Sequence, residues 1–408
     1  MELADVVDSK STGSDTVPVR VRPPAPPFTE FITSSVFFIM LTTYKKIVKK
    51  LTKKGNCVMK ISEIDKNLEV DTKISKDDIV WLDVTNEPFV IYGAASLSPF
   101  KRMPDEVSVN VNEGVHALKN NTAGIRARFK TNSPYIAIHA EWNSQCVMPH
   151  MPICGISGFD IYEYSNGRQK YLSTFIPLVS SKNGYESVKE FGGEMKEYIL
   201  NFPLYNSVTK LYIGVKNDSQ FEKTSNYSID KPVVYYGSSI TQGGCASRPG
   251  NCYQNFISRA LDMDYINLGF SGNAKGETTM AEYIANLEMS AFVLDYDHNA
   301  PTVEHLANTH YDFYKIIREK NPELPIVMLS RPDYKVGNTV DDGRRSVVME
   351  SFVKGKKEGD RNVYFVDGAS LFAGDEWFAC TVDGTHPNDL GFYRFAQALI
   401  PTFETIFK

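Results

Sequence analysis

Four short stretches in the second half of the chain carry residue types from which a hydrolytic site can be built. The first is Val233-Val234-Tyr235-Tyr236-Gly237-Ser238-Ser239-Ile240-Thr241-Gln242-Gly243, an apolar, β-branched and aromatic run ending in small residues. Such a run reads as a buried strand, with a helical pattern resuming near Asn251 after a Gly-rich loop. A serine at the strand tip is held out of the sheet among backbone N–H groups, which suits a nucleophile because the same donors can stabilise an oxyanion. The second stretch, Asn267-Leu268-Gly269-Phe270-Ser271-Gly272-Asn273, is a small-residue loop in which Gly272 can offer an unhindered N–H. The third, Asp295-Tyr296-Asp297-His298-Asn299, ends in a side-chain amide. The fourth, Asp383-Gly384-Thr385-His386-Pro387-Asn388, puts a carboxylate and an imidazole on one turn. Serine hydrolysis requires a hydroxyl, an imidazole to take its proton, a carboxylate to fix the tautomer and donors for the oxyanion. Histidine fits because its unperturbed pKa of about 6.5 lets it accept and return a proton near neutrality. Each piece also has a structural reading: Asp383 and Asn388 as helix caps, His386 as a satisfied histidine, Asn299 as a helix start before Pro301, Gly272 as a turn. Their co-occurrence at the ends of successive strands favours chemistry.

The elements that position these residues alternate strand and helix. Apolar strands at Val233–Tyr236, Tyr265–Leu268, Ala291–Leu294, Ile326–Leu329 and Val363–Val366 are interleaved with helical stretches. These lie near Tyr253–Leu261, Thr279–Leu287, Val303–Glu319, Gly343–Lys356 and Leu390–Ile406. Five such units predict an α/β fold, a parallel sheet with helices on both faces and its site at the carboxyl ends of the strands. The polar segment from Asn217 to Asp230 divides this part from residues of about 66–228. There, short runs such as Trp81–Val84, Phe89–Tyr92, Gly124–Phe129, Tyr135–Ala140, Gly158–Tyr164, Glu197–Phe202 and Lys210–Val215 predict an all-β sandwich or jelly roll.

Residues 1–58 differ from the rest. They hold the Pro cluster at 23–27, the apolar run Phe31 to Leu41 and six lysines between 45 and 54. The run is shorter than the roughly 20 residues of a membrane span, and most of its charge follows it, unlike a signal peptide. These residues read as a poorly ordered leader outside the working protein, with Met59 as the start. The expected organisation is therefore the 1–58 leader, a 59–229 β-sandwich domain and a 230–408 α/β domain.

The 408 residues are enough for two domains with sizeable cores. A net charge of -5 gives no footprint for nucleic acid. The six cysteines show no CxxC spacing and the seven histidines no HxH or HExxH pair, so neither a metal site nor any cofactor is expected. The thiols read as reduced and the protein as cytoplasmic. Cys245 and Cys252, flanking the loop after Ser239, are the pair to watch.

Residues 230–408 resemble the SGNH/GDSL hydrolase family, whose four blocks are matched by Gly237-Ser238-Ser239-Ile240-Thr241, the Gly272 loop, Asn299 and Asp383-x-x-His386. The segment Gly158-Phe159-Asp160-Ile161-Tyr162 is similar to the GxDLY-type N-terminal domain that precedes one subgroup of these enzymes. The resemblance implies a flavodoxin-like hydrolase domain after a jelly-roll-like sandwich. It further implies Ser239 as nucleophile, His386 as general base and acid, Asp383 as its orienter, and Gly272 and Asn299 as oxyanion donors. Two departures stand out. Ser238 replaces the usual Asp before the nucleophile, and Asp295-Tyr296-Asp297-His298-Asn299-Ala300 replaces the usual Gly-x-Asn-Asp block. Asp297 and His298 become candidate substrate contacts. Arg248 and Arg331 do so as well, since either could hold a polar group bidentately, against a surface salt bridge as the plainer role. The expected function is a metal-free esterase acting on an O-acyl, O-acetyl in particular, ester of a small molecule or oligosaccharide. A lipase or acyl-thioesterase of the same fold, or an inert carbohydrate-binding protein, stands as the alternative, and the oligomeric state stays open.

Overall fold

The computed structural model describes residues 72–335 and 337–408. The expected leader, its apolar run and the Met59 start lie outside the described residues. Among the described residues no helix is long and apolar enough to cross a membrane.

Short strands dominate the first part. They are β1 (Ile79–Asp83), β2 (Val90–Tyr92), β3 (Ser96–Leu97), β4 (Phe100–Lys101), β5 (Arg126–Thr131), β6 (Tyr135–Glu141), β7 (Phe159–Ser165), β8 (Arg168–Phe175), β9 (Gly184–Glu190), β10 (Lys196–Asn201), β11 (Lys210–Lys216) and β12 (Phe221–Glu222). One antiparallel sheet runs β1-β11-β6-β9; a second runs β12-β5-β10-β7-β8, with β2 also paired to β5. Ile136, Ile138, Leu211 and Ile213 of the first meet Ala127, Phe129, Ile161 and Leu200 of the second in one core. The result is a sandwich, as the turn-punctuated runs predict. Strands β8 and β9 escape the sequence reading because both are edge strands, and Arg168, Lys170, Glu186 and Lys189 give them the polar character with which proteins protect sheet edges.

The second part is built on β13 (Ile229–Gly237), β14 (Met263–Gly269), β15 (Ala291–Asp295), β16 (Ile326–Leu329) and β17 (Val363–Val366). All four pairings are parallel, in the order β14-β13-β15-β16-β17. This is the flavodoxin-like order, with its topological switch between β13 and β15. Val233 and Tyr235 point into a core with Tyr253, Ile257, Phe392 and Phe395, whereas Val234 and Tyr236 point into another with Leu306, Phe313, Ile317 and Val348. Because both faces are covered, the strands read as unbroken apolar runs rather than alternating ones.

The two β systems share buried surface. Met151, Ile156, Leu204 and Tyr205 from the antiparallel part enter one core of the parallel sheet, and Met103 and Val115 enter the other. Arg102 is fully buried and gives its guanidinium to the carbonyls of Leu118, Asn121, Asn267 and Gly269, the last at 2.6 Å. Burial lowers its pKa to about 9, and the four carbonyls satisfy its donors at the carboxyl end of β14.

Candidate active site

Ser239 opens a four-residue helix, Ser239–Gln242, directly after β13. Gly237 is obligatory at this turn, since a Cβ there would meet Thr241 Oγ1 at 2.0 Å and the Asp295 carbonyl at 2.3 Å. Ser238 accepts the Ile240 N–H through its Oγ at 3.1 Å and so caps the turn. Below it Thr241 Oγ1 and Tyr253 OH donate to Asp295 Oδ2 at 2.8 and 3.0 Å. Burial pushes this Asp295 carboxyl up to about 7. Tyr205 of the antiparallel part donates its hydroxyl to the Ser239 carbonyl at 3.0 Å.

His386 reaches the same point from the loop before the Asp389–Ile406 helix. A Thr381–Pro387 bridge closes that loop, and the Cys245 N–H ties it to Pro387 O at 2.8 Å. His386 Nε2 lies 2.9 Å from Ser239 Oγ, and Nδ1 lies 2.7 Å from Asp383 Oδ2. Asp383 Oδ1 accepts the backbone N–H groups of Thr385 and His386 at 3.0 and 2.8 Å. Partial desolvation works against the charge on the largely exposed Asp383, but the ring and backbone donors of His386 and the N–H of Thr385 outweigh it and hold its pKa down to about 2. An ionised Asp383 accepts the Nδ1 proton, which leaves the Nε2 lone pair facing the serine hydroxyl.

Groups able to donate to a developing negative charge lie on three loops. Ser239 N–H is at the first helical position and has no intrahelical acceptor. Gly272 has φ +71 with open space around it, and no acceptor among the described residues takes its N–H. The Asn299 side chain has a buried Oδ1, and among the described residues neither that oxygen nor its Nδ2 finds a hydrogen-bond partner. Asn299 ends the short helix Asp297–Asn299 after β15. Arg344, from the Thr339–Lys357 helix, clamps that turn by donating to the carbonyls of Asp297 and Ala300.

The four further residues singled out by sequence take varied positions. Asp297 is 1% exposed and accepts the Arg331 N–H at 3.0 Å; burial raises its pKa to about 6. His298 has a buried Nδ1 without a partner among the described residues, and burial lowers its pKa to about 4, with Asp333 and Arg331 as charged neighbours. Arg331 is filled by carboxylates: Asp333 takes Nε and Nη2 at 2.8 and 2.6 Å and Asp341 takes Nη1 at 2.8 Å. Arg248 donates to Asp160 Oδ2 at 2.8 Å and to Tyr162 OH, and lies 4.0 Å from the Tyr171 ring centroid. Both arginines are thus partly exposed side chains held by buried carboxylates. Asp160 also accepts Gly250 N and Asn201 Nδ2, both at 2.9 Å, so the acid of the Gly158–Tyr162 motif secures the loop after the candidate nucleophile.

Sequence reasoning passed over Arg344, Tyr205 and His150. The ring of His150 lies 5.7 Å from that of His386, centroid to centroid. Nothing in the local sequence around these three marks them. Cys245 and Cys252 are both buried free thiols.

Residues 230–404 match the model of the GDSL-like lipase/acylhydrolase family, and residues 79–221 match the N-terminal domain model of SGNH-hydrolase-type esterases. Among solved structures, a protein of Bacteroides ovatus ATCC 8483 assigned as a GDSL-like lipase is 30% identical. Their superposition has a TM-score of 0.73 and covers 81% of this chain and 98% of that one. The salicylyl-acyltransferase SsfX3 of a tetracycline biosynthetic pathway is 20% identical with a TM-score of 0.68, over 81% of this chain and 98% of its own. A family two carbohydrate esterase from Clostridium thermocellum, solved with cellohexaose, is 12% identical with a TM-score of 0.53, over 78% and 98%. No curated protein matches the chain.

Proposed function

From a chain that belongs to the GDSL-like lipase/acylhydrolase family, the SGNH-type hydrolases, we propose a serine esterase that removes an O-acyl group, specifically O-acetyl, from a carbohydrate. The observation that carries the reading is the line Asp383 Oδ2, His386 Nδ1, His386 Nε2, Ser239 Oγ, with hydrogen-bond distances of 2.7 and 2.9 Å. Ser239 Oγ attacks the ester carbonyl while its proton passes to His386 Nε2, and ionised Asp383 stabilises the imidazolium. The N–H groups of Ser239 and Gly272 and the Asn299 amide receive the charge on the carbonyl oxygen. His386 then protonates the departing alcohol, and water, deprotonated by the same imidazole, releases the acid from Ser239.

The choice of a carbohydrate ester rests on the surroundings of the Asp383–His386 turn. Asp333, whose Oδ2 lies 3.5 Å from Thr385 Oγ1, lines a cavity of about 450 Å³ together with Tyr334, Phe372 and Trp377. Trp377 and Phe378 are more than half exposed just ahead of the Asp383–His386 turn. Aromatic faces beside charged groups suit a sugar ring better than a long acyl chain. The fold is shared with a carbohydrate esterase solved with cellohexaose. A reducing compartment, the cytoplasm, fits the five free thiols among the described residues.

The test is Ser239→Ala, with p-nitrophenyl acetate as substrate. Turnover should vanish while circular dichroism and the unfolding midpoint stay unchanged, and retained turnover overturns the nucleophile assignment. Acetylated oligosaccharides set against p-nitrophenyl esters of increasing chain length then separate a carbohydrate esterase from a lipase.

A further inference from the structure

We propose that His150, Asp383 and His386 form a binding site for a divalent transition ion, Zn²⁺ being the probe of choice, and that the bound ion switches the esterase off. One ligand atom from each of the three residues lies within 4.8 Å of the other two. Zinc binds imidazole nitrogen and carboxylate oxygen at about 2.0–2.2 Å, which places neighbouring ligands about 3.5 Å apart, so modest side-chain rotation closes the site. His150 and Asp383 are exposed and His386 is partly so, which leaves the ion an open approach and a position for water.

The histidine is aimed at this place from far along the chain. It leaves the antiparallel part between Met148 and Met151, both of which pack into the core of the parallel sheet. The short helix that follows, Ile153–Ile156, is seated against the loop after Ser239. There Cys154 Sγ donates to Ser247 O at 2.9 Å, and a Cβ on Gly155 would meet Ala246 O at 2.2 Å. With both flanks fixed, His150 stands over the Asp383–His386 turn. An ion on His386 Nε2 takes the lone pair that faces Ser239. One on Nδ1 replaces the proton shared with Asp383. Either position stops proton transfer, so a metal held here inhibits.

Binding is independent of the esterase reading, and only the consequence rests on it. The Ser239→Ala protein, titrated with ZnCl2 by calorimetry in metal-free buffer, should bind one equivalent that the Ser239→Ala/His150→Ala protein binds more weakly. Loss of one of three ligands should weaken binding on the order of tenfold or more, since even second-shell changes cost that much. In parallel, ZnCl2 should inhibit p-nitrophenyl acetate hydrolysis by the unaltered protein, reversibly with EDTA. The half-inhibiting concentration should rise by a similar factor in His150→Ala, scored against that variant's own metal-free rate. Equal zinc affinity with and without His150, or zinc binding without inhibition, overturns the proposal. Absence of any esterase turnover would count against the serine-esterase reading alone, because the calorimetry still decides the metal site.

Discussion

At the scale of single residues, the site depends on two polarised side chains that have nothing else to do. Asp383 spends its carboxylate on three donors within four residues of itself, so the Asp-x-x-His turn arrives at the site already in the correct tautomer. Asn299 is the counterpart on the opposite loop. Its amide nitrogen has no partner among the described residues, and Arg344 fixes the backbone beneath it. If that amide receives the oxyanion, Asn299→Ala should lower kcat with little change in KM. The loss should be about 3–4 kcal/mol of transition-state stabilisation, the size seen when one oxyanion donor is removed. Steady-state kinetics on p-nitrophenyl acetate measures this, and a loss confined to KM would move Asn299 from the oxyanion to ground-state binding.

At the scale of elements, the informative contact joins β7 to the loop after Ser239. Asp160 is completely buried and is paid for by Arg248, Gly250 N–H and Asn201 together. Removing one partner of such a pair leaves donors without acceptors. Asp160→Ala should therefore destabilise the protein by about 3 kcal/mol, read from the urea midpoint. The Pro249–Asn251 turn would lose its anchor, so esterase activity should fall although no reacting group has changed. A variant with wild-type stability would show that water replaces the carboxylate at little cost. The sandwich is in this sense a brace for the hydrolase loops: Tyr205 holds the Ser239 carbonyl and Arg102 the end of β14.

At the scale of the whole molecule, several buried ionisable groups make stability pH-dependent in opposing directions. His310 is 1% exposed and lies against Tyr296 with its Nδ1 unpartnered, and burial lowers its pKa to about 3. Between that value and the unfolded value of about 6.5 the unfolded chain binds the extra proton, so this contribution is lost as pH falls through the window. His298 acts in the same sense down to about 4. Asp295 and Asp297, raised by burial to about 7 and about 6, act oppositely: the fold keeps a proton the unfolded chain has released, and stability drops as pH rises from about 4. His310→Phe keeps an aromatic ring and removes the titrating imidazole. The stability difference between variant and unaltered protein should shift in favour of the variant on going from pH 7 to pH 4.5, as measured by urea unfolding. Parallel curves would mean that His310 is not desolvated in solution.

What the sequence by itself determined was whatever is written locally. Apolar runs buried on two faces gave away the five parallel strands and their order of appearance. A serine after the first strand and an Asp-x-x-His turn before the last helix marked the candidate catalytic residues, because a strand tip and a three-residue spacing are properties of contiguous chain. Edge strands β8 and β9 were hidden since their polar composition exists to keep edges soluble. Only the tertiary structure decided that Arg248 belongs to Asp160, 88 residues away, that Arg344 serves the Asn299 turn, and that His150 stands beside His386. Those assignments come from packing a sandwich against a parallel sheet, and no period or spacing in the chain encodes which side chains meet across that boundary.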